Sequence, residues 1–157
     1  MSVMLEVHPG MPGRAFEDFA VGDRFGCTVT VEEHHLMQGA ELIGDFNPLH
    51  VDEAFARGSR FGGRILHGVL TSALMSAPFG NLVAGTAVAY LEHNARFLAP
   101  VTIGDELLIE WRVGELAAKP ARGAGVVVAE CEARTQRGVV VATATGKMLV
   151  AMRQPAG

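Results

Sequence analysis

Asp45 and His50 stand five residues apart in Gly44-Asp45-Phe46-Asn47-Pro48-Leu49-His50, a carboxylate and an imidazole on either side of a proline. These are the parts of an acid/base pair: with a water held between them, one group accepts a proton while the other donates one. Proline fixes its own φ and keeps the residue before it out of the α region, so this segment cannot be the middle of a continuous helix. A shaped loop is expected. The same residues also build ordinary turns, in which Asp and Asn cap backbone groups and Pro stiffens the bend. Taken alone, the pair leaves both readings open.

The elements that must hold this loop are legible on either side of it. Residues 25–31 are rich in aromatic and β-branched side chains and predict a first strand. Thr30-Val31-Glu32-Glu33 resembles a capping box, opening a helix to about Ile43 with Leu36, Ala40 and Ile43 turned to a core and Glu33, His34, Gln38 and Glu41 to water. That helix delivers the chain to Asp45. Past His50, Asp52 is placed to cap a short helical turn over 53–56, and residues 58–64 read as a loop.

His67-Gly68 opens a second helix, in which Leu66, Val69, Leu70, Ala73, Leu74 and Ala77 recur at helical spacing and no residue is charged. Such a helix belongs inside a fold, and its small residues let a sheet approach on more than one side. Pro78 and Gly80 are expected to stop it. From Thr86 the pattern alternates, predicting strands over 86–97, 106–116, 126–135 and 139–151, with Leu107, Ile109, Trp111 and Val113 on one face. Residues 100–105, 117–125 and 136–138 are the connections. The sum is an α+β fold, an antiparallel β-sheet wrapped around a central long helix. One domain over 14–152 is expected, with residues 1–13 as an N-terminal extension and 153–157 as a flexible tail, both loosely held.

Thirteen Lys+Arg against seventeen Asp+Glu, and no basic run, exclude an extended surface for nucleic acid. Cys27 and Cys131 belong to no Cys-x-x-Cys unit and read as two buried thiols in a reducing, cytoplasmic setting. The start of the chain lacks the pattern of a secretory signal, and the longest mostly apolar stretch, 65–77, is too short for a membrane span. His34 and His35 are adjacent and should point in different directions, a poor metal pair. His93 in its strand and His8 in the tail have no evident partner. His67 supports the start of the second helix. Arg57, Arg60 and Arg64 could meet phosphates, but a solvated cluster is the commoner fate of such loop arginines.

The stretch from Ala40 to His50, with Ala54 and Phe55 downstream, resembles the hydratase 2 motif of the MaoC-like (R)-specific enoyl-CoA hydratases. Arg64-Ile65-Leu66-His67-Gly68 and Phe97-Leu98-Ala99-Pro100-Val101-x-Ile103-Gly104-Asp105 follow in that family's order, so the resemblance covers roughly residues 16–150. It implies a hot-dog fold and a homodimer, with an acyl-CoA substrate across the subunit boundary and no metal or redox cofactor. Asp45 and His50 take the places of the catalytic dyad that holds the attacking water. Asp45 would be the base, His50 would protonate the α-carbon, and the amide of Gly68 would form the oxyanion hole. Asn47 would shape the loop or orient His50. Ser76 matches a position that lines the acyl pocket in some relatives, although a hydroxyl bonded back into its own helix is more common. The activity implied is reversible hydration of an enoyl thioester; a thioesterase and a non-catalytic acyl-CoA binding module are the alternatives on the same fold.

Overall fold

A computed structural model describes residues 3–154; residues 1–2 and 155–157, the outermost parts of the expected tails, lie outside them. Strand β1 (Leu5–Glu6) is followed by β2 (Arg24–Thr30). Four helices come next, α1 (Glu33–Ile43), α2 (Pro48–Val51), α3 (Glu53–Arg57) and α4 (Gly68–Leu82). Strands β3 (Ala87–Phe97), β4 (Glu106–Lys119), β5 (Ala124–Thr135) and β6 (Val140–Ala151) close the chain. They form one sheet in the order β1-β2-β4-β5-β6-β3. Every pairing is antiparallel except the first, in which Leu5 and Glu6 run parallel to Phe25 and Gly26.

Alternation in β4 places the sheet against α4. Leu107, Ile109, Trp111 and Val113 are buried to within 1% exposure, as their period predicts, and they meet Phe25 of β2 and Phe79 of α4. Phe79 sits edge-on to Phe25 at 5.3 Å and 5.1 Å from Trp111 between ring centroids. The Trp111 indole N–H donates to the backbone carbonyl of Met75 at 2.7 Å. Trp111→Phe removes that bond and part of the buried ring, so unfolding free energy should drop by about 1–3 kcal/mol, read from urea melts at unchanged m-value.

Pro78 does not stop α4. The helix runs four residues further, to Leu82, because Met75, Phe79 and Leu82 are fully buried on its sheet-facing side. Each such burial is worth roughly 1.5–3 kcal/mol, and together they outweigh the roughly 3 kcal/mol cost of an interior proline. Nor does a sheet approach α4 from more than one side. Val69 is 58% exposed and Ala73 and Ala77 are open to solvent on the opposite face.

Other boundaries moved for local reasons. Helix α1 is capped at Glu32 rather than Thr30: His35 Nδ1 accepts the Glu32 N–H at 2.9 Å, an imidazole in the place a capping-box Glu would take. Ile43 is 41% exposed instead of buried, while Leu36 and Ala40 are in the core as expected. Residues 117–119 extend β4 and Ala124 already starts β5, so the connection is a single 3-10 turn, Pro120–Arg122. Near the ends of the described chain, Leu5–Glu6 form β1, Val7 is buried, and the Arg153 N–H reaches the Glu17 carboxylate. Cys131 is buried but Cys27 only half so, and both are free. No described helix is long and apolar enough to cross a membrane.

Partial burial of His35 and His93 gives stability a pH dependence. Burial, with the charge of His34 next, lowers the pKa of His35, and burial lowers that of His93. In the unfolded chain both rings titrate near about 6.5. Below that pH the unfolded state binds more protons, so stability is full above about 6.5, is lost as the pH falls toward the depressed folded values, and levels off beneath them. Thermal midpoints measured from pH 7.5 down to 5 should fall. His35→Gln, whose side-chain carbonyl still accepts from Glu32, should flatten that slope.

Candidate active site

Gly44 ends α1 with φ of +73°, the left-handed cap that glycine adopts without strain, and throws the chain sideways at Asp45. Asp45 Oδ1 accepts the N–H of Asn47 at 3.1 Å, and Asn47 Oδ1 accepts the N–H of Leu49 at 3.0 Å, capping α2. Pro48 occupies the first helical position, where its missing N–H costs nothing. This single turn of helix carries His50 back toward Asp45. Turn chemistry and the acid/base pair are therefore not alternatives. One oxygen of Asp45 builds the turn and the other, Oδ2, faces His50 Nε2 at 3.9 Å. Asn47 shapes the loop and makes no side-chain bond to His50.

The His50 ring is held at one nitrogen and on one face. Its Nδ1 lies 2.7 Å from the Ile65 carbonyl, which can only accept, so Nδ1 carries the hydrogen and in the neutral ring Nε2 presents a lone pair. Its face stacks on His67 with centroids 3.7 Å apart. Its side chain is 12% exposed against 47% for Asp45, so the pair sits at a mouth with the imidazole inside. The 3.9 Å gap is too long for a direct hydrogen bond and suits one bridging water.

Gly68 is the first residue of α4, where the N–H has no acceptor within the helix and lies at the positive end of its dipole. The helix start is brought to the dyad by His67, whose Nε2 is 2.9 Å from the Asp45 carbonyl. A methyl group at Gly68 would meet the Phe97 ring at 3.1–3.3 Å, so Phe97 of β3 forms the far wall of this opening. Phe97 enters the sequence reading only as the start of the stretch to Asp105, because nothing local ties β3 to the start of α4. Ser76 lies two turns along α4 and its hydroxyl donates to Ala73 of the same helix at 2.8 Å, the commoner fate.

Asp45, His50 and His67 offer atoms within 4.8 Å of one another, the spacing of a metal site. Ring lone pairs lie in the ring planes, however, and two near-parallel planes stacked 3.7 Å apart do not converge on one ion. His34 and His35, expected to diverge, instead lie with centroids 4.0 Å apart, and each uses its Nδ1 on Glu32. His93 has partners that sequence could not supply: Ser72 Oγ and the Tyr90 hydroxyl, each at 2.7 Å. Arg64 pairs with both Glu33 and Glu53, and Arg57 with Glu53, which pins α3 to α1 and leaves those cations occupied. An apolar hollow of about 290 Å³ between α1 and α4 is lined by Leu42, Leu66, Leu70 and Leu74. A larger one, about 660 Å³, lies on the outer face of the sheet among Arg96, Glu110, Arg112 and Glu130, away from this chemistry.

With this geometry in place, the MaoC like domain model matches residues 20–136, most of the chain. The chain belongs to the MaoC-like domain family. Within that family it is 38% identical over 101 residues to a 3-hydroxybutyryl-CoA dehydratase of Methylorubrum extorquens, a match that spans 64% of this chain and 64% of that protein. The chain thus spans under two thirds of that relative's length. The R-hydratase PhaJ1 of Pseudomonas aeruginosa superposes with a TM-score of 0.80 at 30% identity, covering 91% of this chain and 92% of that one. A Mycobacterium tuberculosis protein with a double hotdogfold superposes with a TM-score of 0.75 at 19% identity over 92% of this chain and 47% of its own. The fold of this MaoC-like domain is the hot-dog fold.

Proposed function

We propose that this MaoC-like domain is a hydro-lyase that adds water reversibly across the 2,3-double bond of an enoyl-CoA, giving a 3-hydroxyacyl-CoA of R configuration. The observation that carries the reading is the facing pair, Asp45 Oδ2 and His50 Nε2 at 3.9 Å, each with its other polar atom already committed to backbone. A water between two acceptors donates both hydrogens and turns its oxygen lone pair outward. A carboxylate is a weak base at neutral pH, and the bond to Ile65 leaves the Nε2 lone pair of His50 free. His50 therefore takes the proton in place of Asp45, the base the resemblance implied, and the reaction depends on the water's orientation and an electrophilic acceptor. The water oxygen bonds to C3 as the C2=C3 electrons move onto the thioester oxygen. The Gly68 N–H stabilises the resulting enolate. His50 Nε2 takes the water's proton with Asp45 stabilising the imidazolium, and the same proton passes to C2 as the carbonyl re-forms.

The names of the similar proteins, a CoA thioester dehydratase and an R-hydratase, support this class of substrate. So does the apolar hollow beside Leu66, which suits an acyl chain. The working form is a homodimer. Strand β3 ends the sheet with one edge unpaired among the described residues, Val88, Leu91 and Phe97 on it and Leu98 just past its end are each more than half exposed, and Phe97 lies against Gly68, next to bare Val69 on α4. An exposed apolar edge of this kind is a surface that pairing with a second copy would cover. Light scattering should give twice the chain mass.

The deciding experiment is a panel of enoyl-CoA thioesters followed by loss of enoyl absorbance, with free thiol and product chirality measured in the same samples. Enoyl loss without thiol release supports a hydratase. Thiol release makes the protein a thioesterase, and saturable binding without turnover makes it an acyl-CoA binding module.

A further inference from the structure

His67 sits at the cap position of α4, yet its side chain makes no capping bond to the helix. It reaches sideways instead, to the carbonyl of Asp45 at 2.9 Å. A carbonyl only accepts, so Nε2 carries the hydrogen and the neutral ring is left with a lone pair at Nδ1. Nδ1 is buried with no hydrogen-bond partner among the described residues, and the whole residue is 1% exposed. Nothing among the described residues in that enclosure accepts a hydrogen from Nδ1, so the Nε2–H tautomer is the one that fits it. Its flat face supports the His50 ring at 3.7 Å and 27°. Ser, Thr, Asp or Asn would cap the helix better. A histidine that gives up the cap and leaves a buried acceptor empty serves the loop it touches.

We propose that His67 is a positioning residue, a clamp whose Nε2–H ties the backbone of Asp45 to the start of α4. It keeps the water held by Asp45 and His50 in register with the Gly68 amide that meets the thioester oxygen. The catalytic half of this inference rests on the hydratase reading. The clamp itself does not.

Two measurements on the full chain test it. Long-range proton–nitrogen NMR at pH 7 should show one histidine, removed by His67 substitution, with its hydrogen on Nε2; an Nδ1–H tautomer overturns the clamp. In steady-state hydration of crotonyl-CoA, His67→Phe keeps a buried ring and loses the donor, whereas His67→Gln places a carboxamide N–H near the original Nε2. His67→Phe should lower kcat by about 10–100-fold with KM within about threefold, the scale of a misplaced reacting group. His67→Gln should recover most of that loss, a split that general destabilisation would not produce. Wild-type turnover by the Phe variant, or equal loss in both, overturns the positioning role. A wild-type protein that hydrates no enoyl thioester refutes the proposed function instead, and the tautomer still decides the clamp.

Discussion

Asp45→Asn lowers enoyl-CoA hydration at least about 10²-fold, within the range for losing a positioned acid/base group, while KM and the melting temperature stay near wild type. The separation follows from the two jobs of this carboxylate. The amide oxygen of Asn still accepts the Asn47 N–H, so the turn and the approach of α2 survive. The amide nitrogen takes the place of Oδ2 and points a donor at the His50 Nε2 lone pair. It can bond that nitrogen directly and cannot accept a hydrogen from water, so the bridging position is lost from both sides. His50→Asn is the matched variant: its carboxamide N–H can replace Nδ1 as donor to Ile65, but nothing replaces Nε2. Steady-state kinetics and thermal melts of the two variants check the claim. Wild-type-like turnover by either removes the dyad from the mechanism.

Gly68→Pro should lower kcat by about 10²–10³-fold, the usual effect of removing one oxyanion-hole donor, with α4 intact. Proline removes the N–H and is well tolerated at the first position of a helix. The residue before it must be extended, and His67 already has φ −55° and ψ 134°. The new ring carbon falls against Phe97, which is 51% exposed and can give way. Gly68→Ala brings the same Phe97 contact and retains the N–H. A large loss for Pro with a small one for Ala, at equal helix content by circular dichroism, isolates the amide. Equal losses would make the effect steric and move the oxyanion role elsewhere.

Much of this site could be read from the chain because its signals are local. Gly44 follows the helix end expected at Ile43, and Pro48 marks the expected bend, which forms the one-turn helix α2 where a loop was expected and brings two chemistry-bearing side chains together. Period-two patterning located the last four strands for the same reason: a side chain's face depends on its neighbours in sequence. The misreadings share the opposite cause. Pro78 looks like a stop until Phe79 and Leu82 find a core supplied by β2, β4 and β6. Ile43 keeps helical spacing yet lies past the end of the surface that α1 covers. His93 has no visible partner because Ser72 is 21 residues away on another element, and Tyr90, three residues back in the same strand, reaches its ring across the register shift between Tyr90 and Glu92.

Residue type and spacing alone determined that a carboxylate and an imidazole could share one water beside a helix start, and that a sheet would curl against that helix. Only the tertiary structure decided which oxygen of Asp45 is free, which nitrogen of His50 holds a lone pair, and that His67 and Phe97 enclose the opening. A hydrogen-bonding atom has two or more possible partners along a chain, and the choice among them is made by whichever distant backbone carbonyl or ring the folded core brings within about 3 Å.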